Sequence, residues 1–177
     1  TASQLVALLN FYLTKMSNII MDERGTVDKY EGDAIIALVG APVKMEDHAQ
    51  RACAAAIKMK SSEVEMNKEI ERIAAAEKPE DMDEELYDAF KIMVANNRKL
   101  FTRIGLNSGE MIAGYMGSEN KKNYTMMGNN VNLAARLEGV NKQYSTGGIL
   151  ISAATRDLLG DRFVVRSLDR VRVVNVN

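Results

Sequence analysis

Residues 124–138, YTMMGNNVNLAARLE, set two polar side chains into a run of small and apolar residues. Asn132 and Arg136 stand four positions apart, about one helical turn, so both point the same way. On a helical wheel Asn132, Arg136 and Gly139 share one side, and Leu133, Ala134, Leu137 and Val140 form the neighbouring apolar arc. An arginine projecting from a small-residue helix takes a carboxylate, a phosphate or water as its partner. Alone, the pattern reads equally as a helix with its polar side in solvent. A second stretch, DKYEGD at 28–33, carries a cation and an acid across a tight turn. Lys29 and Asp33 flank a turn at 31–32, and by themselves read equally as a surface ion pair. Together the two stretches point to a site for a metal-bound phosphate ester.

Upstream, Leu5, Leu8, Leu9, Tyr12, Leu13, Met16, Ile19 and Ile20 follow the three-and-four spacing of a buried helical face. Ser3 is the expected N-cap and Gly25 the expected stop. A hairpin follows, with strands at 26–30 and 33–39, the second an apolar run expected to be buried on both faces. Asp47 opens a long helix whose inner stripe is Ala49, Ala52, Cys53, Ala56 and Met59. Residues 61–82 are charged and helix-prone, are broken by Pro79, and read as a solvated face or extension. Another helix is expected over 83–97, with Leu86, Ala89, Phe90 and Met93 on one side. A second hairpin is expected from strands at 103–107 and 111–115, then a short strand at 123–127 and the helix at 129–143. A strand at 149–151, a helix at 153–159 and an extended stretch from 162 complete the order. Helices packed on an antiparallel-rich sheet give an α/β fold. Both ends read as cut, because the first helix has no preceding strand and Val171, Val173 and Val176 alternate up to the terminus.

The 177 residues suffice for one domain with a full core. The chain is 46% hydrophobic and 27% charged, as expected of a soluble globular protein. A net charge of -1 argues against a general nucleic-acid binder but not against one nucleotide held locally by a few cations. With aromatics at 6%, a sheet-based RNA-binding module is also disfavoured. The single cysteine, Cys53, lies in the run ACAAAI and reads as a small core residue rather than a catalytic thiol. The single histidine, His48, has no second His or Cys at ligand spacing, which disfavours zinc. The longest apolar run, 34–43, is too short to span a bilayer. The expected location is cytoplasmic, including the cytoplasmic end of a longer membrane receptor.

In succession, DKYEGDAIIALVGAP, IGLNSGEMIAGYMGS, YTMMGNNVNLAARLE and GILISAAT resemble the signature segments of class III nucleotidyl cyclases, in the family's order. The resemblance covers about 5–173. It implies a ferredoxin-like, palm-like fold with a βαββαβ core, lacking here the first strand and the last strand or strands. Residues 1–177 would then be one cyclase catalytic domain, truncated at both ends, with a helical insert at about 61–98. The implied activity turns ATP into 3′,5′-cyclic AMP and pyrophosphate at a homodimer interface. Two magnesium or manganese ions per site are implied. Position by position, Asp33 matches one of two metal-holding aspartates. Lys29 and Thr125 match the pair that reads the purine, and Asn132 and Arg136 the pair that supports the ribose and the reacting phosphate.

The residue types suit those roles. Magnesium prefers hard oxygen ligands. A planar guanidinium suits charge growing on phosphoryl oxygens. Lys29 only donates, so it fits the acceptor N1 of adenine and not the N–H of guanine. Guanylyl-type members resemble each other in carrying an acid at that position, so Lys29 with Thr125 favours ATP.

Two departures stand out. The family's first metal-binding aspartate lies on a strand before Thr1, and the lysine expected near the C-terminal strand aligns with Val174. Valine cannot hold a triphosphate. A catalytically degenerate domain of the same fold, binding nucleotide or a partner in signalling, is the alternative reading. An upstream sensor or membrane segment belongs to the implied full-length protein, and no nucleic-acid partner does. The acidic loop of diguanylate cyclases, which share the palm-like core, is absent from the hairpin YEGDA.

Overall fold

The structure, a computed structural model, describes residues 1–171. Helix α1 spans Ala2–Asp22. Its cap is Thr1, not Ser3: the Thr1 hydroxyl accepts from the Gln4 N–H, and the Gln4 side chain returns a bond to the chain's first nitrogen. The helix stops one residue before the expected glycine, as Arg24 turns left-handed at φ 61°.

Strands β1 (Thr26–Glu31) and β2 (Ala34–Leu38) pair antiparallel. The turn falls on Gly32 and Asp33, one residue later than the sequence suggests, with Gly32 at φ +63°. A bulge interrupts the register between Val27 and Lys29, leaving Asp28 as the extra residue. Contrary to expectation, β2 is buried only at Leu38, since β1 is its sole ladder partner among the described residues.

Helix α2 (His48–Ala74) runs unbroken through the charged segment expected to be solvated. Glu63, Met66, Ile70 and Ile73 recur at three-and-four spacing and are buried. Helix α3 (Glu84–Ala95) begins at Asp83, whose carboxylate accepts from the Leu86 N–H at 3.0 Å. Ile70, Ile73, Phe90 and Met93 form a cluster against Leu8 and Phe11, so α2 and α3 pack on α1. Phe11 meets Phe90 edge to face at 5.1 Å.

Strand β3 (Ile104–Leu106) does not form the expected hairpin with the strand that follows it. It pairs in parallel with β6 (Ile149–Ile151). The second hairpin is instead β4 (Ile112–Gly117) with β5 (Lys122–Met127). The Ser118 hydroxyl accepts from the Lys121 N–H inside that turn. The antiparallel-rich arrangement is thus three two-stranded ladders, one of them parallel. Helix α4 covers Asn129–Val140 and passes into a short 3-10 turn at Asn141–Gln143. Helix α5 (Ala153–Asp157) is shorter than expected, and a 3-10 turn at Gly160–Arg162 follows it. Residues 164–171 form no strand. Val173, Val174 and Val176, on which two expectations rested, lie outside the described residues.

Among the described residues, no helix is long and apolar enough to cross a membrane.

Candidate functional site

Helix α4 carries Asn132 and Arg136 and is held at both ends. At its start Gly128 takes φ +146°, a conformation that L side chains rarely adopt, and its carbonyl accepts from the Val131 N–H at 3.1 Å. The Asn107 amide donates to the Asn130 carbonyl at 2.9 Å, and the Asn130 amide donates to the Glu110 carbonyl at 2.9 Å. At the far end Arg103 Nε donates to Glu138 at 2.7 Å. Beyond it the buried Asn141 side chain donates to the Gly148 carbonyl at 2.7 Å. Along its length the helix lies directly on β3. A methyl group on Gly105 would run into the backbone of Ala134 and Glu138. Leu137 is buried, whereas Asn132 and Arg136 are both exposed on the other side of the helix. Among the described residues neither side chain has an internal hydrogen bond or ion pair.

Lys29 and Thr125 come from different hairpins and are brought together by a residue the sequence reading passed over. The Thr125 hydroxyl donates to Asp28 Oδ2 at 2.8 Å, across 97 residues of chain. The Lys29 ammonium lies 3.6 Å from the same oxygen. The Asp28 side chain is 3% exposed and that of Lys29 48%. The only sequence signal for Asp28 was an acid beside the lysine, since the bulge that turns it inward cannot be read from residue types.

Asp33 is exposed in the β1–β2 turn, and the expected pairing with Lys29 across that turn does not form. Its charge is felt at Tyr12, whose pKa is raised chiefly by burial, with Glu63 and Asp33 adding to the effect. No hydrogen bond or ion pair joins Asp33 to Asn132 or Arg136 among the described residues. The five predicted residues therefore fall into three groups: the Lys29–Thr125 pair, the Asn132–Arg136 pair, and Asp33 apart. For a divalent cation, Asp33 is one hard-oxygen ligand open to solvent. No group of three His, Cys, Asp or Glu suited to a metal occurs among the described residues.

Comparison with known proteins agrees with this arrangement. Residues 1–175 match the family described as the adenylate and guanylate cyclase catalytic domain. "Adenylate cyclase 1" of Rhizobium meliloti is 30% identical over 151 residues, covering 85% of this chain and 19% of that protein. "Adenylate cyclase, terminal-differentiation specific" of Dictyostelium discoideum is 32% identical over 172 residues, covering 95% of this chain and 7% of that protein. The chain thus spans a fifth or less of these relatives. Among solved structures, the guanylyl cyclase Cya2 superposes with a TM-score of 0.77 at 32% identity, over 99% of this chain and 77% of that one. The chain belongs to the adenylate and guanylate cyclase catalytic domain family.

Proposed function

We propose that this domain converts ATP to 3′,5′-cyclic AMP and pyrophosphate, at a site assembled from two copies of the chain. The observation that carries the reading is the division of the site residues. A purine-reading pair, Lys29 and Thr125, sits at one place in the fold, and a phosphate-facing pair, Asn132 and Arg136, stands free on α4. Asp33 is not joined to either pair. A second copy supplies the missing proximity: Asp33 of one chain serves the four other residues of its partner. Ile112, Tyr115 and Met127 support this, because they leave the β4–β5 hairpin with an apolar surface 70%, 77% and 61% exposed.

In the reaction the ribose 3′-oxygen attacks the α-phosphorus. The bond from that phosphorus to the oxygen bridging to the β-phosphate breaks, and pyrophosphate departs with the electron pair. The 3′-hydroxyl proton passes to water. Arg136 meets the charge that grows on the α-phosphoryl oxygens, and its fork of donors matches that geometry. Asn132 orients the ribose through a neutral hydrogen bond. Lys29 donates to adenine N1, and guanine, with a hydrogen there, is rejected. Asp33 suits a magnesium or manganese ion, since magnesium commonly takes one or two carboxylates and completes its shell with substrate phosphates and water. When bound, two such ions lower the pKa of the 3′-hydroxyl and neutralise the leaving pyrophosphate, so no protein base is needed.

The relatives include proteins named for either nucleotide, so the choice of ATP rests on Lys29 and Thr125. Cyclic-product assays with ATP and with GTP test the reading. Asn132→Ala and Arg136→Ala are each expected to lower turnover by roughly 10²–10³-fold with the fold intact by circular dichroism. Full activity in both variants removes the assignment. ATP binding by calorimetry without cyclic product, even with manganese, selects the degenerate alternative.

A further inference from the structure

Resting on the purine-reading role given to Lys29 and Thr125, we infer that Asp28 is a specificity-determining positioning residue: it fixes the Thr125 hydroxyl as an acceptor towards the base. Asp28 is the extra residue of the β1 bulge, and bulges re-aim a side chain relative to the regular ladder. Here the side chain turns inward, 3% exposed, while Lys29 next to it stays half in solvent. A carboxylate that buried requires hydrogen-bonding or charged partners. Asp28 has both, in the Thr125 hydroxyl at 2.8 Å and the Lys29 ammonium at 3.6 Å, on the same oxygen.

The consequence is one of donor and acceptor count. An ionised carboxylate only accepts, so the single proton of Thr125 is committed to Asp28. What Thr125 then offers a base is its lone pairs alone. Lys29 offers only donors. The pair therefore presents one donor and one acceptor in a fixed sense. Adenine meets that sense with the acceptor N1 and the donor N6 amino group. Guanine presents the reverse, a donor at N1 and an acceptor at O6. A hydroxyl free to rotate would instead donate to guanine O6 and weaken the discrimination. Lys29 is thus one half of the choice, and Asp28, acting through Thr125, is the other.

The experiment measures kcat/KM for ATP and GTP, and the Kd of each by calorimetry, in the wild type, Asp28→Asn, Thr125→Val and the double variant. Asp28→Asn keeps the shape but adds a donor. It is expected to lower the ATP-to-GTP preference by roughly tenfold, the scale of one hydrogen bond. In the Thr125→Val background the same change is expected to leave the preference unmoved, because Asp28 acts only through that hydroxyl. Asp28→Ser, a small polar replacement, is read in the same way should Asp28→Asn fail to fold. A folded Asp28 variant with the wild-type preference overturns the proposal and leaves the cyclase reading standing. So does an equal loss of preference with and without the Thr125 hydroxyl. A wild type that binds neither nucleotide overturns both.

Discussion

Asp28 and Cys53 show two opposite ways in which burial decides what a side chain does. Asp28 is turned inward with partners for its charge, so it is poised to act on its neighbours. Cys53 is buried among Ala49 and Leu159 with no charge to stabilise a thiolate, and its pKa is pushed up from 9.0 to about 11. The sign follows directly. As the pH rises past the unfolded value, the unfolded chain loses the thiol proton first, so folded stability falls over the window from about 9 to about 11. In the native protein near pH 8, Cys53 is expected to react with iodoacetamide on the order of a hundredfold more slowly than in urea. Mass spectrometry of labelling time courses checks this, and equal rates in the two states contradict it. The inert cysteine was legible from ACAAAI alone. Asp28 was not, because DKYEGD as a string does not say which strand residue is the extra one.

At the scale of elements, the close contact of α4 with β3 sets the aim of Asn132 and Arg136. Gly105 makes that contact possible. Gly105→Ala is expected to cost about 1–3 kcal/mol, as overpacking at a tight helix–strand contact does, and to lower turnover by shifting α4. Urea denaturation with activity assays on the same sample measures both. Unchanged stability and turnover would mean that α4 is positioned by its ends alone. The helix itself was legible in the sequence, with its start at Asn129 and its apolar arc both found. Strand pairing was not. Ile104–Leu106 and Ile149–Ile151 are three-residue apolar strands, and their parallel partnership is a tertiary choice with no local signal. The turn at 118–121 carries no Asn-Gly or Asp-Gly pair, so the β4–β5 hairpin had no strong turn signature either. In contrast, the inner stripe of α2 beyond Met59 was present at helical spacing in Glu63, Met66, Ile70 and Ile73. The surrounding charges obscured it.

In the whole molecule, the helices and hairpins leave the candidate site residues at separate places, and the central claim is that a second copy unites them. Family and fold were legible because several short segments agree in order, while the assembly is a property of two chains that one sequence does not display. The claim is tested most directly by mixing two inactive variants, Asp33→Ala and Asn132→Ala, and measuring cyclic AMP formation. Each variant alone has every site broken once. In a mixed dimer one site collects both lesions and the other collects none. With random exchange of subunits, half the dimers are mixed and half their sites are intact, so the mixture is expected to recover roughly a quarter of wild-type turnover. A mixture as inactive as either variant alone, after exchange of subunits has been verified, would contradict a site shared between two copies.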